Sequence, residues 1–377
     1  MKLTKTYLTI WILSTLLFAL VLGGVNYVID PLKYYHQAPG TREITGLEQS
    51  HKIWQVKMRQ PETLVLGNSR TLYGFDVNQL KGEKPFNYSF PGPSIEEVDK
   101  QFENMQYSTQ AKTVYLVVDG ICSSGNSSRE LSALFNTNLE WLKAEFMRAK
   151  YLISLDTLKA SFKALNKSIF YDDFGRRISF VFSKQSGEKL SERVKIREGF
   201  SIKRGKNSTQ CNTEVFERLL ITAHASGINV SLMLNPTHVR LINIDAQNSI
   251  PLNSHLNMKR AIVSINAAVA AKLNIQPFPI FDFNLINQYT TESFDLVNNT
   301  EPKYWWESSH YKKALGDRLV DWLNKPENER DLSIGVSLTP ENIDQHINSQ
   351  LKQLLRWQKA NPKVSEDLSQ AVKMVNL

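Results

Sequence analysis

The stretch "ETLVLGNSRTLYGFD", residues 62–76, decides how this chain is read. Thr63, Leu64, Val65 and Leu66 make an apolar run of β-branched and Leu residues that stops at Gly67. A run of that kind, bounded by a turn signal, predicts a strand buried on both faces. Asn68, Ser69 and Arg70 come next, and a short helical segment follows. Two readings compete. Either a strand ends in a polar turn, or Ser69 is held at the carboxyl edge of a sheet as a nucleophile. The free N–H groups of a helix N-terminus favour the second reading, because they stabilise a developing oxyanion.

Working outward, the same pattern repeats. "FNYSFPG" (86–92), "TVYLVVDG" (113–120), "INVSLMLNP" (228–236) and "IFDF" (280–283) read as further short strands. Between them, "IEEVDKQFENM" (95–105), "TEVFERLLITAHASG" (213–227) and "LNMKRAIVSINAAVAAKLN" (256–274) have helical spacing, the first with Ser94 and Glu97 placed for a capping box. Apolar strands alternating with helices predict an α/β fold, a three-layer sandwich with a mainly parallel central sheet, over residues 61–330. Active groups in such sheets collect beyond the carboxyl ends of the strands.

The flanks carry different signals. Lys2 and Lys5 precede "YLTIWILSTLLFALVLGGVNYVI", which holds no charge before Asp30. It supplies the roughly 20 apolar residues a helix needs to cross a bilayer. Positive charge ahead of the span predicts a cytoplasmic N-terminus. Trp11, Tyr27, Tyr34 and Tyr35 are candidate interface markers. A cleaved signal peptide is the rival reading, and the length of the apolar stretch favours an uncleaved anchor. On this reading residues 1–30 are a cytoplasmic tip and transmembrane anchor, 31–60 a juxtamembrane linker with some helix, and the main domain is extracytoplasmic, periplasmic or at the cell surface.

Residues 121–210 form a helical insertion with 17 Lys and Arg against 9 Asp and Glu, an excess equal to the net charge of +8 of the whole chain. It reads as a solvated insertion, or as a cap or patch facing anionic lipid head groups or an acidic glycan. Nucleic acid is not expected, since no recognition motif accompanies the charge. Residues 331–377 read as a C-terminal helical extension, with Thr339 as N-cap, an apolar stripe of Ile343, Ile347, Leu351, Leu354 and Leu355, and Pro362 as its end. Two cysteines, Cys122 and Cys211, are too few for a disulfide scaffold or a four-ligand zinc site, and leave one bridge open. No metal-binding spacing and no cofactor motif is present, which argues against a metal-dependent phosphatase.

A serine hydroxyl needs a base, and histidine is the usual one. Of seven histidines, His238 in "LNPTH" and His310 in "YWWESSHYKKALGDRLVDWL" stand in chemical contexts. Glu307 lies three residues before His310, so its carboxylate can hold the imidazole Nδ1–H and leave Nε2 to take a proton. Ser308 or Ser309 is placed to cap the helix that follows. Asp282 at the end of "IFDF" is a rival acid, or else a turn cap. Arg70, Asp119, His238 and the pair Trp305 and Trp306 are candidate substrate contacts, the tryptophans as a sugar-stacking wall, with core packing as the alternative.

A strand-terminal "GNSR" near the start of the domain and "ESSH" near its end resemble the SGNH/GDSL family of hydrolases and acyltransferases. The nearer likeness is to its membrane-anchored, extracytoplasmic branch of polysaccharide O-acetyltransferase-like proteins. It spans about residues 60–325. The resemblance implies the flavodoxin-like form of the sandwich, with Ser69 as nucleophile, His310 as base and Glu307 as the orienting acid. Gly92 would lend its N–H to the oxyanion hole. The chain departs from the family in two ways: Glu307 stands where Asp is usual, and the third motif, G-x-N-D, is missing. Its side-chain donor falls to Asn235 or Asn126. Asp119, which cannot donate when ionised, is left to bind Arg70 or fix a loop. Two functions follow. One is a serine esterase or O-acyltransferase acting on an acylated cell-envelope glycan or small molecule, with no cofactor. The other is a non-catalytic scaffold or glycan-binding protein working with envelope-assembly proteins.

Overall fold

The computed structural model describes residues 2–36, 48–119, 121, 138–165, 171–178, 189–207, 212–247 and 255–376. Six strands, β1 (Thr63–Leu66), β2 (Pro85–Asn87), β3 (Thr113–Val117), β4 (Asn229–Leu234), β5 (Ile280–Asp282) and β6 (Val336–Leu338), form one sheet in the order β2-β1-β3-β4-β5-β6. The first five are parallel and β6 runs antiparallel to β5. The order of the parallel strands is that of doubly wound sheets, with the switch point between β1 and β3. The helices are α1 (Lys2–Ile29), α2 (Glu48–Arg59), α3 (Ser69–Gly74), α4 (Ile95–Ser108), α5 (Asn138–Leu152), α6 (Leu155–Ala164), α7 (Leu190–Asn207), α8 (Thr213–Ala225), α9 (Val239–Gln247), α10 (His255–Leu273), α11 (Lys313–Asn324), α12 (Ile343–Ala360) and α13 (Pro362–Asn376).

Successive strand side chains point to opposite faces, and each face is apolar. Leu64 and Leu66 of β1, Val114 and Leu116 of β3, and Leu232 and Leu234 of β4 pack with α4, α8 and α10. Val65, Val117, Met233 and Phe281 point the other way, onto Phe75 and onto Leu315, Leu319 and Trp322 of α11. This is why the strands read as unbroken apolar runs. The capping box opens α4 as the sequence indicates: Glu97 N–H donates to Ser94 Oγ, and Ser94 N–H donates to the Glu97 carboxylate.

Two glycines set the distance between α3 and α11. A Cβ on Gly316 would lie 1.8 Å from the Gly74 carbonyl oxygen, and one on Gly74 would lie 2.1 Å from the Tyr311 ring. Backbone therefore meets backbone here, and this contact brings the segment after β1 against the one before α11.

α1 is long and apolar enough to cross a membrane. Its last turn closes on Asp30, whose carboxylate accepts the backbone N–H groups of Tyr34, Tyr35 and His36. Several flanking segments differ from their sequence reading. Residues 48–59 form α2, the helix expected within the linker, but Ile53 and Val56 carry it into the main core because the helix is amphipathic. Tyr34, expected at a membrane interface, is buried with Trp54 and Tyr151. The C-terminal extension begins with the unexpected strand β6, and Asn342 rather than Thr339 precedes α12. Ile343, Ile347 and Leu354 are buried, whereas Leu351 and Leu355 are exposed. Pro362 does end α12, but it also opens α13, because proline suits a first helical turn. Cys122 and Cys211 lie outside the described residues.

Candidate active site

Ser69 sits where the chain leaves the sheet at its carboxyl edge. β1 passes through Gly67 into α3, with Asn68 as N-cap and Ser69 at the first helical position. Asn68 Oδ1 accepts the Arg70 N–H at 3.0 Å, which fixes the entry to the helix. The Ser69 N–H has no intrahelical acceptor at that position. Phe90 N–H donates to the Gly67 carbonyl at 3.0 Å, so the turn carrying Gly92 runs beside this one.

The other half comes from the loop before α11. Trp305 and Tyr311 pair as a short antiparallel bridge, and residues 306–310 form a tight bend between them. Ser308 and Ser309 therefore do not cap α11; its N-cap is Lys312, with no side-chain bond. Glu307 organises the bend instead. Its Oε2 accepts the Ser309 N–H at 2.7 Å and its Oε1 accepts the His310 N–H at 3.1 Å. The same Oε1 meets His310 Nδ1, while His310 Nε2 lies 2.8 Å from Ser69 Oγ. The extra methylene of Glu lets the carboxylate reach the Ser309 and His310 backbone and the ring together. The Tyr73 ring lies nearly perpendicular to the imidazole, with centroids 5.4 Å apart.

Electrostatics suit proton transfer. Burial pushes the His310 imidazole below its ordinary value, outweighing the pull of Glu307; Arg197 and Arg70 push it the same way. Burial opposes the Glu307 charge, yet His310, Arg197 and the Ser309 N–H together hold the carboxyl below the usual range. At neutral pH the pair is a carboxylate and a neutral ring, with Nδ1 donating and Nε2 able to accept from the serine.

Beneath Ser69 lies a closed polar network. Asp119, just past β3, accepts from Asn68 Nδ2 at 2.8 Å, Arg70 Nη1 at 3.1 Å and Asn235 Nδ2 at 3.3 Å. Arg70 also donates to Thr237 Oγ1 at 3.0 Å and to Ser309 Oγ at 3.1 Å. The structure thus joins Ser69, His310 and Glu307 directly, and sets Arg70 and Asp119 beside them as a brace. Asn235 belongs to this brace and not to an oxyanion hole: it is 1% exposed, its amide N donates to Thr71 Oγ1 at 3.0 Å, and its Oδ1 accepts from the Tyr311 hydroxyl.

Asp282, His238 and Trp305 are engaged elsewhere. Asp282 cannot serve His310, because two strands separate β5 from β1; it is held by Lys259 at 2.7 Å and His346 at 2.8 Å. His238 is a satisfied core residue, with Nε2 on the Glu292 carbonyl at 2.8 Å and its ring stacked on Phe294. Trp305 is fully buried and donates to the Tyr289 carbonyl, so it forms no sugar wall. Trp306 is half-buried, with Lys312 Nζ 4.7 Å from a ring centroid. Gly92 is exposed, on the turn that runs beside that of Ser69. Asn126 lies outside the described residues.

Sequence reading missed Arg197 of α7, whose Nη2 donates to Ser309 Oγ at 2.9 Å. It also missed Glu198, which accepts from Ser308 Oγ and pairs with Arg240. The basic charge of the insertion was the available signal, since α7 belongs to it and one of its arginines reaches the site. No family model matches the chain, and no curated protein matches it in sequence.

Proposed function

We propose that the protein is a membrane-anchored serine ester hydrolase or O-acyltransferase of the SGNH type, acting outside the cytoplasm on an acylated cell-envelope glycan. The observation that carries this reading is Ser69 Oγ at 2.8 Å from His310 Nε2, with the buried Glu307 on the far nitrogen. A structural histidine has no need of a half-exposed serine on one nitrogen and a buried acid on the other. The placement also supports the family assignment: a serine past the first strand of a sheet in doubly wound order, and an acid-x-x-His segment before a late helix.

Ser69 Oγ attacks the ester carbonyl carbon as its proton passes to His310 Nε2, and Glu307 stabilises the imidazolium that forms. The tetrahedral oxyanion is received by the Ser69 N–H, with the Gly92 N–H as second donor. Collapse breaks the ester C–O bond, and the leaving alkoxide takes the proton from His310. Water or a sugar hydroxyl, deprotonated by His310, then attacks the acyl-Ser69 carbonyl and restores the serine. Water gives deacylation and a hydroxyl gives transfer. The anchor and the basic α7 beside the site favour an envelope glycan as acyl carrier.

Aryl acetate turnover by the full chain in detergent tests the proposal. The intact protein should release the phenolate and Ser69→Ala should not. Equal rates in the two, or none in either alongside tight glycan binding, would mark the protein as a non-catalytic scaffold.

A further inference from the structure

The membrane-proximal end of α1 is not bare. Leu22 and Asn26 of α1 and Asp30 just past its end, at four-residue steps, form a buried stripe, whereas residues 5–18 of the helix are exposed. Asn26 is fully buried; its Nδ2 donates to the Leu152 carbonyl at 2.7 Å and the Ser154 carbonyl at 3.1 Å, and its Oδ1 accepts from Ser161 Oγ at 3.2 Å. Leu152 ends α5, Ser154 caps α6 and Ser161 lies within it. An amide at this depth needs internal partners, and the two-helix unit supplies them.

That unit turns a strongly apolar face outward. On α5, Leu142 is 56% exposed and Phe146 70%, with Ile153 at the turn 58%. On α6, Leu155 is 56% exposed and Phe162 60%, with Leu165 just past its end 64%. Each set falls on one side of its helix, by three- and four-residue steps and their sums. Exposed lysines Lys143, Lys150 and Lys159 flank the stripes, Lys159 paired with Asp156 at 3.3 Å. Apolar stripes with basic flanks are the makeup of helices that lie in a membrane interface.

We propose that α5 and α6 form a foot that lies in the outer interface of the same bilayer α1 crosses, with its apolar face among the acyl chains and its lysines toward anionic head groups. The inference rests on α1 spanning a membrane, and not on the chemistry proposed for Ser69. Continuity with the anchor identifies the occupant. The buried stripe from Leu22 to Asp30 covers about 12 Å of helix at 1.5 Å per residue, comparable to the roughly 5–10 Å to which interfacial helices sink. The foot is also tied to the body of the protein. Tyr151 of α5 accepts the Leu32 N–H at 2.9 Å, and the Arg148 guanidinium lies over Tyr35 and over Trp54 of α2. α2 in turn reaches the sheet through Lys52 Nζ on the Asn87 carbonyl at 2.6 Å. Foot, anchor and α2 together fix the height and tilt of Ser69 above the lipid.

The test uses the full chain in phosphatidylglycerol and phosphatidylethanolamine vesicles, with p-benzoylphenylalanine in place of Phe146, Phe162, Leu13 or Lys352 in four separate variants. Intact mass after irradiation should show lipid adducts at positions 146, 162 and 13 and none at 352 of α12. Lipid adducts at 13 without any at 146 and 162, or cross-links from 146 and 162 to a second chain, would overturn the foot. Absence of lipid at 13 would remove the anchor and the foot together.

Discussion

Ser69, His310 and Glu307 are held by bonds that leave each little freedom, so small changes have large expected effects. Glu307→Gln keeps the shape of the site but removes the charge that fixes the imidazole tautomer. Aryl ester kinetics should show kcat reduced by about 10³-fold or more with KM little changed. Glu307→Asp keeps the charge and withdraws the carboxylate by one methylene, and a misplacement of that size costs about 10²-fold. The acid limb of kcat/KM should lie below the ordinary histidine value of about 6.5, because burial first, and Arg197 and Arg70 after it, disfavour the protonated ring. Arg197→Gln removes one of those positive charges. The His310 value should rise and the acid limb should move to higher pH. A limb that stays in place would show that Arg197 does not act on the imidazole.

At the scale of elements, the site depends on how closely α3 and α11 approach. Gly316→Ala places a methyl on the Gly74 backbone, which cannot move aside as a flexible side chain would. The helices must separate, at a cost of about 1–3 kcal/mol for overpacking, and the Ser69–His310 distance must open. Thermal unfolding should show the lost stability, and kcat should fall although residue 316 touches no substrate. This contact was not legible in the sequence, because a glycine inside a helical pattern does not name its neighbour. The strands were legible, since Leu64, Val65 and Leu66 face two apolar layers and leave no polar alternation. β6 was not: its three residues follow a turn-rich segment, and only pairing with β5 makes them a strand. The triad was legible as residue types at the right places. The bend that holds Glu307 was not, because "ESSH" reads equally as the start of a helix, and its serines are in fact committed to Glu198, Arg70 and Arg197. Asn235 misled for a related reason. A strand-end asparagine looks like a donor to a ligand until Thr71, Asp119 and Tyr311 are seen to use its amide.

The whole molecule carries a second set of buried histidines with consequences for acid stability. Burial pushes His51 down to about 4, and His238 to about 3, from an ordinary 6.5. Both fold as neutral rings, while the unfolded chain takes up protons as pH falls through about 6.5. Stability is therefore unaffected above that range and declines as pH drops toward 4. His51 alone accounts for about 3 kcal/mol at the low end, at 1.36 kcal/mol per unit. Urea unfolding of the full chain in detergent should give a midpoint that falls steadily between pH 6.5 and 4 and is flat between pH 7 and 8. His51→Gln should weaken the acid dependence even if it lowers stability at neutral pH.

The central claim is that Ser69 is a nucleophile activated by His310, and covalent capture tests it most directly. The full chain is treated with a fluorophosphonate, and its intact mass and the modified peptide are read. The account predicts a single adduct on Ser69 that is absent in Ser69→Ala and strongly slowed in His310→Gln. Labelling that is unchanged in either variant, or an adduct on another serine, would contradict it.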